Sequence, residues 1–271
     1  MSRTVLITGA SGNIGTKLRA HFAVLGWTLR LLDADARGDP SVQPADLTQW
    51  DDAWVARFAG VDTVIHLAGD PSPRASWASV QRLNIDLTAN VYEAAAAQRV
   101  RRVVFASSNW VMAGHRSAAG PLTTDMEPHP VNAYGVSKLV GERMGRSIHA
   151  RRGLSVICFR IGYVQRGDNQ PGPQMGWGPW GQAMWLSNRD LCQAMERAVL
   201  ADRVGFAVLN LMSDNPGMRW DIETTKRAIG YAPQDGAAPV LMEQIERDAR
   251  SADDVQRMIE RLQALLHERR W

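Results

Sequence analysis

Cysteine is scarce in this chain, and long apolar runs are absent. The two cysteines, Cys158 and Cys192, lie in apolar stretches without the spacing of a metal site, so we expect two buried thiols in a reducing cytoplasm and no bound metal. No apolar run approaches the length of a membrane span, which excludes a membrane protein of the helical type. The N-terminus enters a strand pattern directly, without signal-peptide architecture, and this favours a cytoplasmic location.

The chain also lacks a long run of charge of either sign. Its 31 basic and 28 acidic residues nearly cancel, leaving a net charge of +3, so nucleic acid is not an expected partner. The 271 residues, of which 45% are hydrophobic and 22% charged, have an ordinary globular composition. This length fits one large α/β domain, or one domain with a small appendage.

The first motif that carries chemistry follows a short apolar strand pattern at residues 3–8. Gly9, Gly12 and Gly15 are spaced three apart, directly between that strand and a helical pattern. Glycines let the backbone turn sharply and approach a pyrophosphate, and the helix N-terminus adds free N–H groups and the positive end of its dipole. In this context the spacing predicts a dinucleotide-binding turn.

The acid that ends the second predicted strand indicates which dinucleotide is bound. Asp33 lies about 20 residues past the glycines, where a carboxylate holds the adenosine ribose hydroxyls and repels a 2′-phosphate. We therefore expect NAD rather than NADP, although the nearby Arg37 weakens this preference. Asp46 and Leu47, after a short polar stretch, are expected beside the adenine.

Strand and helix patterns alternate as far as residue 162, with further strands predicted at 61–69, 102–109 and 154–162. The alternation predicts an α/β fold with a doubly wound parallel sheet of the Rossmann type. We expect residues 1–271 to form a single domain, with a small C-terminal substrate-binding or cap region from about 200 to 271. The lone His66, inside the strand at 61–69, is predicted to be a packed core residue, because the partners of a metal ligand are missing.

Tyr134 and Lys138 lie four residues apart, which places both on one helical face if the segment 132–142 is helical. Asn132 is a suitable N-cap for that helix. A nearby ammonium favours the phenolate form and lowers the tyrosine pKa, so the pair is predicted to act as a general base near neutrality. The alternative is an ordinary surface helix with a packed tyrosine.

Residues 163–188 interrupt the alternation with a stretch rich in Gly, Pro and Trp. Long irregular segments in compact domains are usually functional or disordered, and the aromatic content argues against disorder. We therefore predict a substrate loop or lid, in which Trp177, Trp180 and Trp185 offer flat apolar faces. The alternative is that these tryptophans fill the core or a subunit contact, since tryptophan is largely buried in most folds.

Together these motifs resemble the extended short-chain dehydrogenase/reductase superfamily, also called the NAD-dependent epimerase/dehydratase family. The matching elements span most of the chain in the family's order: Thr8-Gly9-x-x-Gly12-x-x-Gly15, Asp33, Asp46-Leu47, His66-Leu-Ala-Gly69, Asn84, Phe105-Ala-Ser-Ser108, Tyr134-x-x-x-Lys138 and Gly230-Tyr-x-Pro233. Within the superfamily, Ser-Ser-Asn109 and the compact length are most similar to the uronate dehydrogenases. Those enzymes oxidise C1 of a hexuronic acid with NAD and release an aldarolactone.

The resemblance implies three catalytic residues, Ser108, Tyr134 and Lys138. It implies that NAD is held by the glycine turn, the ends of the strands and the Tyr–Lys helix, that is, by Gly9, Gly12, Asn13, Ile14, Gly15, Asp33, Asp46, Leu47, Leu67, Ala68, Gly69, Asn84, Ala106, Tyr134, Lys138 and Ile161. It also implies a sugar substrate, for which we expect contacts from strand ends and from the loop, namely Ser72, Ser107, Ser108, Asn109, Gln174, Trp177, Trp180 and Gln182. A homodimer or higher homo-oligomer is the family's habit.

Two departures from the uronate dehydrogenase pattern leave the substrate open. Those enzymes have a histidine after the asparagine, where this chain has Trp110, and their substrate loop carries an arginine that clamps the carboxylate. Here the loop is longer and richer in Trp and Gly, and Arg166 and Arg74 are the candidates for that role. The substrate is therefore a sugar acid or a different sugar.

The predicted reaction is the oxidation of a sugar hydroxyl by NAD, at C1 to a lactone, with Tyr134 as the base. A nucleotide-sugar 4-epimerase would use the same tyrosine, lysine and serine but keep NAD bound, so the release of free NADH separates the two. A dehydratase is disfavoured, because that subclass has an acidic pair where this chain has Asn109-Trp110. A non-catalytic dinucleotide sensor is a third alternative, but such proteins usually lose the tyrosine or the lysine.

Overall fold

The structure is a computed structural model that describes residues 3–240 and 256–258. Its strands are β1 (Thr4–Thr8), β2 (Thr28–Asp33), β3 (Val42–Pro44), β4 (Thr63–His66), β5 (Arg102–Ser108), β6 (Ser155–Ile161) and β7 (Phe206–Leu211). Its α-helices are α1 (Asn13–Val24), α2 (Asp52–Val55), α3 (Trp77–Val80), α4 (Leu87–Ala97), α5 (Ala133–Arg152), α6 (Gly178–Ala183), α7 (Asn188–Leu200) and α8 (Glu223–Ile229). A π turn (Gln81–Asp86) joins α3 to α4, and 3₁₀ segments cover Ala56–Phe58 and Asn109–His115.

The strands form one parallel sheet in the order β3-β2-β1-β4-β5-β6-β7. The chain order reverses between β1 and β4, and in doubly wound sheets ligands bind at the carboxyl ends of the strands beside such a reversal. The register places Thr8 opposite His66 and Ser108 opposite Ile161, so the residues that end these strands share one edge. The predicted doubly wound fold is confirmed.

Helices cover both faces of the sheet, which is why the central strands are buried almost without interruption. One apolar cluster joins the strands to α1 and α7, and a second joins them to α2, α4 and α5. A third, smaller cluster lies away from both, where Leu122, Met184, Met212 and Trp220 meet. Among the described residues, no helix is long and apolar enough to cross a membrane.

Several elements differ from the sequence predictions. The short edge strand β3 and helix α2 were not expected, because three or four residues are too few to show a period. The helix predicted at 77–98 is interrupted by the π turn, and the loop 163–188 contains α6. Strand β7, inside the region expected to form the C-terminal cap, belongs to the main sheet. Most of the predicted amphipathic segment at 240–269 lies outside the described residues.

Two glycines of helix α5 face closely packed neighbours that leave no room for a side chain. The first turn of α5 is capped by the Asn132 side chain, which accepts a hydrogen bond of 2.7 Å from the Gly135 amide. A Cβ atom on Gly145 would come within 2.8 Å of the Tyr92 hydroxyl, and one on Gly141 would overlap the Phe105 ring. Gly141 allows α5 to approach β5, the strand that ends in Ser108, and Gly145 allows it to approach α4 and β6.

Replacing Gly141 by Ala should therefore force α5 away from Phe105. We expect a loss of about 1–3 kcal/mol in the free energy of unfolding, the usual cost of overpacking a core, measured by denaturant titration. Ser147→Ala, at an exposed position of the same helix, is the matched control and should change stability by less than about 0.5 kcal/mol. Equal stability of the two variants would show that α5 is free to move outward.

Candidate active site

The glycine turn after β1 forms a cradle of backbone N–H groups. Gly9 has a φ of +71°, and a Cβ atom there would lie 2.7 Å from the Ala68 amide nitrogen, so only glycine fits. Gly12 is the N-cap of α1 and provides no side chain to accept hydrogen bonds from the first turn. The buried Ser11 hydroxyl has no hydrogen-bond partner among the described residues. An anion with several acceptor oxygens, such as a pyrophosphate, fits this set of donors.

Asp33 closes one side of this cradle at the end of β2. Its carboxylate accepts a hydrogen bond of 2.9 Å from the Ser11 amide, which joins β2 to the glycine turn. Arg37 lies in an exposed turn, and its amide donates to Asp35. The carboxylate of Asp46 accepts hydrogen bonds from Thr48, within its own turn.

The remaining predicted cofactor residues fall into two groups. Leu47, Ile14, Leu67, Ala68, Ala106 and Ile161 line the strand ends or pack against the core beside them. Asn13 and Asn84, by contrast, use their amides on the protein itself. Asn13 donates to the carbonyls of Val164 and Gln165, which fixes the start of the loop that follows β6.

Asn84 ties three segments together from within the π turn. Its Oδ1 accepts a bond of 2.7 Å from the Asp70 amide, and its Nδ2 donates to the Asp70 carbonyl and, over 3.0 Å, to the Ser137 hydroxyl on α5. Gly69 has no room for a side chain, because a Cβ atom there would lie 2.7 Å from Asn84 Oδ1. We infer that Asn84 supports the site chiefly by holding the loop after β4 against α5.

Tyr134, Lys138 and Ser108 come together where β5 meets α5. All three are buried, and Lys138 Nζ lies 5.7 Å from the centroid of the Tyr134 ring and 5.2 Å from that of Phe105. Ser108 caps the 3₁₀ segment with its hydroxyl, which accepts from the Trp110 amide over 3.3 Å. The same hydroxyl also interacts with the Tyr134 phenol. The structure therefore brings the three predicted catalytic residues into one pocket.

Burial controls the titration of this pair. It raises the pKa of Tyr134 to about 12, although the hydrogen bond with Ser108 acts in the opposite direction. Burial also lowers the pKa of Lys138 to about 8, because the ammonium loses hydration. The role of the pair as a general base near neutrality stays a prediction, and the structure adds that burial raises the pKa of the Tyr134 phenol.

Asp70 is a charged neighbour of the pair that the sequence analysis did not assign to the site. Its charge raises the pKa of both Tyr134 and Lys138. The carboxylate is held by the Ser79 hydroxyl at 2.6 Å and by the Ser72 amide at 3.0 Å. An acid in a Pro- and Ser-containing loop is typical of an exposed turn, so its position beside Tyr134 could not be read from the sequence.

Ser107, predicted to touch the substrate, belongs to a different cluster. Its hydroxyl donates to Glu142 over 2.6 Å, and Glu142 forms a two-point ion pair with Arg160 at 2.8 and 2.9 Å. Both charged side chains are at least 96% buried. This cluster was not predicted, although Glu142 lies four residues beyond Lys138 and therefore on the same face of α5.

The predicted substrate residues of the loop are divided between surface and core. The Trp177 side chain is 50% exposed, has a φ of +72°, and meets the Trp110 ring edge-on at 5.3 Å. Trp185 is buried and donates to the Asn169 carbonyl, so here the packing alternative holds. Trp180 is partly buried and packs on Trp220, with ring centroids 4.4 Å apart.

The polar side chains expected around the substrate are mostly engaged elsewhere. Gln182 is buried and forms two hydrogen bonds with the backbone of Val240, and Gln174 is exposed and donates to the Gln170 carbonyl. Asn109 donates to the Ile161 carbonyl at 3.0 Å. The two candidate arginines, Arg74 and Arg166, are both exposed.

The lone histidine of β4 is packed as predicted. His66 is buried between the hydroxyls of Thr8, at 2.8 Å, and Thr88, at 3.0 Å. Burial lowers its pKa to about 3, so the ring is neutral at physiological pH. Cys158 and Cys192 are buried free thiols, and within residues 3–240 and 256–258 no cluster of His, Cys, Asp and Glu could hold a metal ion.

Comparison with known proteins places these residues in context. The profile of the NAD dependent epimerase/dehydratase family matches residues 5–165. The chain is 35% identical to the NAD-dependent glucose-6-phosphate dehydrogenase of Haloferax volcanii, over 90% of this chain and 97% of that protein. It is 37% identical to L-arabinose 1-dehydrogenase (NAD(P)(+)) of the same organism, over 88% of this chain and 98% of that protein.

A solved structure of a uronate dehydrogenase has the same fold as this chain. A mutant of the Agrobacterium tumefaciens uronate dehydrogenase, complexed with NAD, superposes with a TM-score of 0.75 at 28% identity and covers 93% of this chain and 90% of its own. The matched region contains the glycine turn, Asp33 and the Tyr–Lys helix. From its profile and its relatives, the chain belongs to the NAD dependent epimerase/dehydratase family.

Proposed function

We propose that this chain is an NAD-dependent dehydrogenase that oxidises a hydroxyl of a sugar or sugar acid, with Tyr134 as the base. The observation that carries the proposal is the meeting of Tyr134, Lys138 and Ser108 in one buried pocket, at the same sheet edge as the glycine turn. The predicted class, an NAD-dependent sugar oxidoreductase, is confirmed by the related dehydrogenases. We further propose, from the resemblance to uronate dehydrogenases, that C1 is oxidised and that a lactone is released.

Each residue of the pocket has a separate task. Ser108 donates to the reacting oxygen and fixes its position, while Tyr134 removes the hydroxyl proton. Lys138 stabilises the phenolate by its charge, which matters because burial alone holds the tyrosine protonated. When bound, oxidised NAD accepts the hydride and adds a positive charge to the pocket. Asp33 at one end of the cradle holds the adenosine ribose.

The direct test is to incubate the purified protein with NAD and a panel of uronic acids, neutral aldoses and sugar phosphates, and to follow NADH by absorbance. Release of stoichiometric NADH with one class of sugar supports the dehydrogenase. Inversion of a nucleotide sugar without free NADH would identify an epimerase. If the protein binds NAD normally but turns over no sugar, the result would favour a non-catalytic dinucleotide sensor.

Tyr134→Phe removes the proposed base and leaves the ring. We expect kcat to fall by roughly 100- to 10,000-fold, the range for general acid–base groups, while the Kd for NAD hardly changes. Tyr231→Phe is the matched control, because its buried hydroxyl donates to the Met212 carbonyl outside the pocket. That variant should lose some stability and keep its kcat. Near-normal turnover of Tyr134→Phe would remove Tyr134 from the mechanism.

Asp33→Ala should narrow the preference for NAD over NADP, measured as the ratio of kcat/KM values. Removing the carboxylate removes its repulsion of the 2′-phosphate, so we expect the ratio to fall at least about tenfold. Asp35→Ala, which deletes a neighbouring exposed carboxylate, should leave the ratio unchanged. If the unmodified enzyme works as well with NADP as with NAD, Asp33 does not select the cofactor and Arg37 takes that role.

Trp177→Ala tests whether the loop closes over the sugar and keeps water from the hydride path. The side chain is half exposed, so its loss should cost little stability but lower kcat/KM for the sugar. Trp185→Ala is the contrasting variant, because loss of that buried ring should cost on the order of 3–5 kcal/mol. Reduced stability of Trp177→Ala with unchanged kinetics would show that the ring only packs.

A further inference from the structure

Asn13 contacts the loop after β6 through its side chain. Its Nδ2 donates to the Val164 carbonyl at 3.2 Å and to the Gln165 carbonyl at 3.3 Å. An amide nitrogen carries two hydrogens, so these two bonds use its full donor capacity. The backbone N–H of the same residue opens α1, where Gly12 provides no capping side chain, so this N–H is available to a pyrophosphate. Asn13 therefore belongs to the cradle through its backbone and to the loop through its side chain.

Lys17 adds a second anchor one turn further along α1. The spacing of four residues places it on the same face of the helix as Asn13. Its Nζ donates to the Gly167 carbonyl at 3.2 Å, in a bond that is exposed to solvent. Helix α1 thus holds the start of the loop, residues 164–167, at three carbonyls, two of them through the half-buried amide of Asn13.

A buried asparagine joins the two ends of the loop. Asn169 is 3% exposed; its Oδ1 accepts from the Gln165 amide at 2.8 Å, and its Nδ2 donates to the Leu186 carbonyl at 2.7 Å. Gln165 is therefore held on both sides, its carbonyl by Asn13 and its amide by Asn169. Because Asn169 also holds Leu186, the anchor on α1 sets the position of both ends of the loop.

The middle of the same loop lies against the segment that follows Ser108. The Trp177 ring meets the Trp110 ring edge-on at 5.3 Å, and the Trp110 amide donates to the Ser108 hydroxyl at 3.3 Å. Asn109, between these two residues, donates to the carbonyl of Ile161 at the end of β6, just before the loop. The loop therefore contacts the cradle helix at its base and the segment of the candidate catalytic serine at Trp177.

We propose that Asn13 is a positioning residue that transmits cofactor binding to the substrate loop. A pyrophosphate bound to the first turn of α1 would fix the backbone of Asn13, and with it the side chain that holds Val164 and Gln165. A ligand that orders a segment lowers the ordering cost for a second ligand that needs the same segment. The inference rests on the proposed sugar dehydrogenase function, because it takes the loop to contact the sugar.

Hydrogen exchange followed by mass spectrometry tests this coupling without turnover. Peptides from residues 163–188 would be compared with and without saturating NAD in the wild type, Asn13→Ala, Lys17→Met and Thr16→Ala. We expect NAD to slow exchange in the wild-type loop roughly 5- to 50-fold, the usual range of coupling between two sites. In Asn13→Ala the slowing should fall to less than about threefold, because both bonds from this side chain to the loop are lost.

The two other variants separate the loop anchor from damage to α1. Lys17→Met removes one exposed bond and should give an intermediate slowing, which remains measurable if Asn13→Ala does not fold. Thr16→Ala is the matched control, because its exposed hydroxyl donates to the Gly12 and Asn13 carbonyls within its own helix turn, and it should respond to NAD as the wild type does. Equal slowing by NAD in the wild type, Asn13→Ala and Lys17→Met, or no slowing in the wild type, would overturn the proposal.

Affinity and turnover distinguish this role from direct contact with the cofactor. In Asn13→Ala the Kd for NAD, measured by calorimetry, should stay within about threefold of the wild-type value, while the KM for the sugar rises roughly 5- to 50-fold and kcat changes less. A Kd for NAD raised tenfold or more, with the response of the loop unchanged, would make Asn13 a cofactor ligand and overturn the proposal. If no sugar yields NADH, the proposed function fails, and the exchange comparison still decides whether NAD binding reaches the loop.

Discussion

A buried ion pair between Glu142 and Arg160 connects α5, the helix of Tyr134 and Lys138, to the neighbouring strands of the sheet. Glu142 belongs to α5, Arg160 to β6, and Ser107 links the pair to β5. A buried ion pair contributes little net stability, because removing two charges from water costs about as much as their attraction returns. Its contribution here is geometric: Tyr134, Lys138 and Glu142 lie at four-residue steps on one face of α5, so anchoring Glu142 fixes the height of the other two above β5.

The burial that positions the tyrosine also opposes its ionisation. The pKa of Tyr134 is raised and that of Lys138 lowered, so the pocket favours the neutral form of each group. Asp70 adds negative charge, which favours the ammonium and disfavours the phenolate. In a site of low dielectric constant, an added positive charge has a larger effect on a phenol than it has in water. The ionisation of Tyr134 therefore responds to any charge bound beside it.

The sequence predicted the fold, and it predicted the motifs that the structure brings together at Ser108, Tyr134 and Lys138, because both are encoded locally. Each of these motifs lies within a single turn, strand or helix: the glycine spacing, the acid that ends β2, and the Tyr–Lys pair. The prediction was weaker wherever partners come from distant parts of the chain. Asn84, Gln182 and Ser107 were expected to face ligands, but they hydrogen-bond to Asp70, Val240 and Glu142 instead.

The π turn at Gln81–Asp86 has a consequence for how this region tolerates insertion and deletion. A π turn is an α-helix with one surplus residue, so α4 is rotated by roughly 100° relative to an uninterrupted helix starting at Trp77. That rotation directs Thr88 to the ring of His66 and Asn90 to the Leu47 carbonyl. Deleting a single residue would restore a regular helix with better local geometry, yet it would turn both side chains away from their partners. The irregularity thus sets the rotation of α4 about its axis. A related chain that keeps these two contacts must also keep the surplus residue.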